Sequence, residues 1–237
     1  MDAAAHIRAE SSPDGASRIT TLRDGKSLQF QTIEDVVYMD FTPQSGDDLW
    51  INISIDPGAT LALRGVGGFL TPADPMGLPS HLAVTAAVGK GATFDWQPQP
   101  TVSVAGSRFR SSTSIVLDQE AKLTYVEDIC LGRPYEAAGG VISSLQIRRL
   151  NELLIRNTNR LGEDAEHSLT EQLSDDIRRM TTMVRSVDQP ESDNPIRWKM
   201  QEFRRSAAAR SRVENLQLDV SVVHRTMSKP VAQVRQN

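Results

Sequence analysis

The chain has 237 residues, 39% hydrophobic and 24% charged, a globular composition long enough for one large domain or one domain with a smaller appendage. Its single cysteine, Cys130, excludes an intramolecular disulfide and thiolate metal clusters, and no run of apolar residues is long enough to predict a transmembrane helix. The net charge of −4 is unevenly divided, 10 Lys/Arg against 17 Asp/Glu in residues 1–140 and 16 against 13 in residues 141–237, which argues against the whole chain coating nucleic acid.

Residues 1–17 are rich in Ala, Ser, Asp and Pro and lack an apolar stretch, so they read as a loose terminus without a secretory signal. A cytoplasmic location is expected by elimination. Residues 18–161 read as a β-rich body. SRITTLRD and KSLQFQTI flank Asp24-Gly25, a dipeptide favoured in hairpin turns, and short alternating segments follow, each bounded by Gly, Pro, Asp or Lys.

ISIDPGATLAL, VTAAVGKGATFDW and SIVLDQEAKLTYV share one plan: an alternating strand, a short turn, an alanine, then a second alternating strand. The aligned alanines are Ala59, Ala92 and Ala121. Units of this length mean stacked hairpins, a solenoid or an ordinary β-sandwich, and periodicity alone slightly favours the sandwich. A last hairpin joins SSLQIRRL to LLIRNTNRL through Asn151-Glu152, with a bulge or tight turn expected because Leu145, Ile147 and Leu150 break the alternation.

Residues 162–237 change character, to a helical and mixed part with a free tail. Leu169, Leu173, Ile177, Met180, Val184 and Val187 draw one helical stripe behind a Ser168/Glu171 capping box, predicting a helix over 168–187. Asn194-Pro195 starts a second, over 195–208, with a stripe of Ile196, Met200, Phe203 and Ala207. Alternation returns in LQLDVSVVH after Leu216.

Much chemistry is absent from this text. There is no GxxxxGK[ST] phosphate loop, no HExxH and no GxSxG, and the glycines of Gly65–Gly68 lack dinucleotide-loop spacing. His6, His81, His167 and His224 are scattered. Glu127, Asp128 and Cys130 form the one compact cluster able to hold a divalent transition metal transiently, although strand parity places Glu127 and Asp128 on opposite faces. Otherwise Cys130 is a small buried hydrophobe and the acids pair with arginines such as Arg133. Residues 197–212 form a basic stretch, including Arg204 and Arg205, that suits an acidic partner or simply a solvated helix face.

Several ordered pieces between about Asp47 and Leu161 resemble the urease accessory protein UreD (UreH) family in its actinobacterial style. They are PGATLALRGVGGFLTPAD, the run Gly91, Ala92, Phe94, Trp96, Pro98 and Pro100, then Glu127 followed by LGRP at Leu131–Pro134, and the hairpin SSLQIRRLNELLIRNTNRL. Where the family commonly has Gly-Glu after LGR, this chain has Tyr135-Glu136-Ala137. The resemblance implies a mainly β, stacked, helix-like sheet body, here with two or so C-terminal helices, and so favours the solenoid over the sandwich. It also implies a non-enzymatic urease maturation chaperone. Its partners would be apo-urease, UreF and the GTPase UreG, with neither nucleic acid nor membrane. It would hold no tight cofactor and only transient nickel, carried through a polar passage. The candidate lining acids are Glu127, Asp128 and Glu136, with Arg204 and Arg205 as candidate partner contacts. Two other readings remain: a β-rich interaction scaffold unrelated to urease, and a nucleic-acid or phosphate binder using residues 197–212.

Overall fold

The computed structural model describes residues 3–13, 15–24, 27–133, 135–162, 169–171, 180–188 and 220–228. The described residues form seventeen strands, numbered here in chain order, in two sheets. The early strands are β1 (Ala3–Ser11), β2 (Ser17–Asp24), β3 (Leu28–Ile33), β4 (Val36–Phe41), β5 (Asp48–Ile55), β6 (Thr60–Gly65) and the two-residue β7 (Phe69–Leu70). The middle strands are β8 (Ser80–Val88), β9 (Thr93–Gln97), β10 (Thr101–Ser103), β11 (Arg108–Leu117) and β12 (Lys122–Leu131). The last are β13 (Gly140–Arg149), β14 (Glu152–Leu161), β15 (Leu169–Glu171), β16 (Met180–Asp188) and β17 (Val220–Ser228).

One sheet runs β15-β14-β13-β11-β8-β5-β1-β2 and the other β16-β17-β12-β9-β6-β4-β3. Within the first, β1, β5, β8, β11 and β13 are parallel neighbours. Within the second, β4, β6, β9, β12, β17 and β16 are. Strands that alternate apolar and polar residues bury one face, and here both sheets turn that face toward the other. Leu49, Ile51, Ile53 and Ile55 of β5 meet Leu61 and Leu63 of β6 in a single buried core. Each such side chain contributes about 1.5–3 kcal/mol by leaving water.

The three sequence units are corners of this β-solenoid rather than self-paired hairpins. β5 turns into β6, β8 into β9 and β11 into β12, each time crossing from the first sheet to the second. Each turn is closed by its alanine amide: Ala59 N–H donates to Asp56 C=O (3.0 Å), Ala92 to Gly89 (3.0 Å) and Ala121 to Asp118 (3.3 Å). The third turn position is left-handed in all three, with φ of 73° at Gly58, 64° at Gly91 and 59° at Glu120, as a type II turn requires. Successive corners also bond to each other. Gly89 N–H donates to Ile55 C=O (2.8 Å), Asp118 to Val88 (2.9 Å) and Leu150 to Leu117 (2.8 Å). The alanine methyls point into the core without exposure.

Several sequence expectations are corrected. Residues 3–11 are not a loose terminus: β1 pairs in parallel with β5 and buries Ala3, Ala5, Ile7 and Ala9. Its alternation is carried mostly by alanines, which give a weak hydrophobic signal. Asp24-Gly25 does not join a hairpin, because β2 ends one sheet and β3 ends the other; the hairpins are β1–β2 and β3–β4. The helix expected over 168–187 is also overturned where the chain is described, since Leu169–Glu171 and Met180–Asp188 are strands. Thr181, Thr182, Val184 and Val187 are β-branched, and that preference outweighs a coincidental spacing of three and four. Residues 195–208, Arg204 and Arg205, and the tail after Ser228 lie outside the described residues. The expected β13–β14 hairpin is present, with its bulge between Ile147 and Arg148 and Leu150 at φ 53°. No described helix is long and apolar enough to cross a membrane.

Candidate functional site: a polar layer between the sheets

The inward positions of the later coils stop being apolar. β11 points Ser111 and Thr113 inward between Phe109 and Ile115, and β13 points Ser143 inward between Val141 and Leu145. Ser111 is in register with Ser143, and Ser143 with Asn159 of β14. A row of hydroxyls and an amide therefore crosses the inner face of the first sheet.

Glu127 faces this row from β12. It alternates with Tyr125 and Ile129, shares their inward parity and is 8% exposed. Ser143 Oγ donates to Glu127 Oε2 over 2.8 Å, and Ser111 Oγ to Oε1 over 3.5 Å. Tyr125 is bonded to the side chains of Thr113 and Glu127, and its phenol is raised well above the ordinary range, by burial first and by the Glu127 charge second. Trp96 stands edge-on to Tyr125 at 5.3 Å, and its buried indole N–H has no acceptor among the described residues. Buried donors of this kind are ordinarily satisfied by water.

Asp128 and Cys130 are also buried but belong to the opposite face of β12, as strand parity predicts. In register, Glu127 pairs with His224 and Asp128 with Arg225 of β17. Arg133 pairs with Glu136 rather than with either of these acids, its Nε at 2.6 Å from the carboxylate. That contact, helped by the Ala105 amide, holds the Glu136 carboxyl down at about 2. Among the described residues no three His, Cys, Asp or Glu side chains converge as metal ligands, so Glu127, Asp128 and Glu136 are not one ligand set.

The residues missed at the sequence level are Ser111, Thr113, Tyr125, Ser143 and Asn159. The available signal was parity: each is polar at a position whose inward neighbours include buried apolar residues.

One buried carboxylate, hydroxyls and amide oxygens make a hard-oxygen lining. Such donors hold a divalent transition ion far less tightly than thiolates or imidazoles do.

The family model for the UreD urease accessory protein matches residues 42–236. Over 105 residues the chain is 38% identical to the urease accessory protein UreD of Parafrankia sp. (strain EAN1pec), a match covering 44% of this chain and 35% of that protein. Over 173 residues it is 30% identical to the urease accessory protein UreD 2 of Saccharopolyspora erythraea, covering 70% of this chain and 61% of the relative. Over 127 residues it is 28% identical to the Pseudomonas fluorescens UreD, covering 52% and 41%. The chain thus spans between about a third and three-fifths of these relatives. It belongs to the UreD urease accessory protein family.

Proposed function

We propose that the chain serves urease maturation as a non-catalytic scaffold, binding apo-urease and the UreF–UreG complex while nickel passes through the polar layer between its two sheets. The observation that carries this reading is the inward Glu127 carboxylate facing Ser111 and Ser143 between the two sheets. A doubly charged ion needs negative potential and oxygen donors to enter a protein interior, and it needs weak ones to leave. Glu127 supplies the charge, and the hydroxyl row with Trp96 N–H accommodates water around the ion. Asp128, on the other face, and Glu136, held by Arg133, take secondary parts.

Partner contact has support at the opposite edge from the tight corners. The returns between β6 and β8 and between β12 and β13 expose Val66, Leu70, Met76, Leu78 and Tyr135. Apolar side chains gathered on one edge are what a protein partner would cover.

The test is Glu127→Gln in a reconstituted activation reaction, reading urease activity and complex yield on the same preparation. Glutamine keeps the shape and an acceptor for Ser143 but removes the charge. Activation should fall roughly tenfold, the scale of one lost charge-assisted contact, with assembly intact. Full activation would end the nickel role of Glu127, and joint loss of assembly would make the residue structural.

A further inference from the structure

The outer face of the first sheet carries a second feature, unrelated to the polar layer. Its register rows run straight across the parallel strands. Nearest the long returns, one row reads Asp48, His81, Arg110, Ile142 and Arg160 across β5, β8, β11, β13 and β14. Arg108 lies at the start of β11, two positions before Arg110. Together with Pro79, Phe109 and Ile142, these three arginines line a cleft of about 180 Å³.

Three arginines meet in this one cleft, whereas others in the chain are matched by acids or by neutral acceptors, as Arg149 is by Ala121 C=O and Arg156 by Gln146. Arg8 is matched by Glu10 and Asp56, Arg64 by Asp95 and Arg133 by Glu136. Arg108, Arg110 and Arg160 have no carboxylate partner among the described residues. The acid in their row, Asp48, lies two strands from Arg110 and sits 3.6 Å from His81 instead. Like charges gathered without a counter-charge repel each other, and a bound anion relieves that repulsion. Guanidinium forks match the oxygens of carboxylate and phosphate in pairs, so the ligand class follows from the side chains.

We propose that this cleft is an oxyanion-binding site, with Arg110 and Arg160 gripping the ligand from two sides and Arg108 closing the end. The oxygens belong either to a free phosphate-type anion or to a glutamate or aspartate side chain presented by another protein.

Calorimetric titration of the full chain at low salt tests it, with inorganic phosphate and end-blocked tetraglutamate as the two probes. At least one probe should bind, and R110A/R160A should weaken it by roughly tenfold or more. R18A/K122A removes two positive charges from exposed positions elsewhere and should change binding by no more than about twofold. Tighter binding of phosphate identifies the free anion, and tighter binding of tetraglutamate identifies the protein side chain. If R110A/R160A does not fold, R108A is read in its place against the same criterion. Absence of binding by both probes, or equal binding by the arginine variant and the unaltered chain, overturns the proposal.

Discussion

Ser143 and Glu127 join the two sheets through the middle of the protein, hydroxyl to carboxylate, at 2.8 Å. The contact ties β13 to β12 beside the apolar inward side chains Val141, Leu145 and Ile129. A carboxylate placed between sheets is tolerated only when donors meet it, and the Ser143 and Ser111 hydroxyls are donors here.

Ser143→Ala should therefore cost about 1.5–3 kcal/mol, the range for a hydrogen bond to a charged group. Urea denaturation of S143A, E127Q and the double variant gives the coupling between the two residues. A coupling near zero would show that the contact adds nothing to stability.

The corner at Glu120 holds a non-glycine residue at φ 59°, where the equivalent corners have Gly58 and Gly91. Left-handed backbone costs an ordinary residue about 1–2 kcal/mol, and glycine recovers part of this after its larger loss of freedom on folding. Glu120→Gly should raise stability by about 0.5–1 kcal/mol in the same assay, with the sheets unchanged by far-ultraviolet circular dichroism. A drop in stability would mean that the glutamate side chain holds the turn in some other way.

Gly89 opens the second corner and lies directly against the first. A Cβ there would sit 2.7 Å from Pro57 N and 2.9 Å from Ile55 O, both backbone atoms that cannot step aside. Gly89→Ala should lose about 3 kcal/mol or more, at or beyond the upper end for overpacking. Gly91→Ala has open space around its Cβ and should cost only the backbone strain of about 1–2 kcal/mol. Equal losses at the two positions would contradict the close stacking of the corners.

Glu136 should titrate near 2, against about 4.5 without its partner, because Arg133 favours the charged form. A depressed carboxyl stabilises the folded loop above the unfolded value, and that contribution disappears as the pH falls from about 4.5 through about 2. In Arg133→Ala the carboxyl resonance followed by NMR should move its midpoint back toward 4.5. An unchanged midpoint would assign the shift to the Ala105 amide.

The repeat was legible because a type II corner restricts its residues: a left-handed third position, then a side chain small enough to point into the core at Ala59, Ala92 and Ala121. Sheet membership was less visible. Alternation marks a strand but does not say which sheet takes it, so β2 and β3 read as a hairpin across Asp24-Gly25. β1 was hidden by the weak hydrophobicity of Ala3, Ala5 and Ala9, and β16 by a spacing that suits a helix equally well. At the candidate site, Glu127 stood out by motif and parity, whereas Ser111 and Ser143 looked like ordinary strand hydroxyls. They become a site only when stacking brings residues 16 positions away on either side of Glu127 opposite its carboxylate.

The stacked corners also divide the molecule into an edge that can change length and an edge that cannot. An extra residue in Asp56–Ala59 would shift its amides out of reach of the next corner, and the mismatch would pass along the stack through Gly89 and Asp118. The returns at 66–79, 98–107 and 132–139 are bonded to one another at fixed points, Phe69 to Pro100, Thr71 to Val102 and Gly132 to Ser103, and length can change in the stretches between those points. Insertions and deletions that separate this chain from its longer relatives can therefore collect on the return edge, where Met76 and Tyr135 are exposed, so that recognition diverges while the frame stays in step.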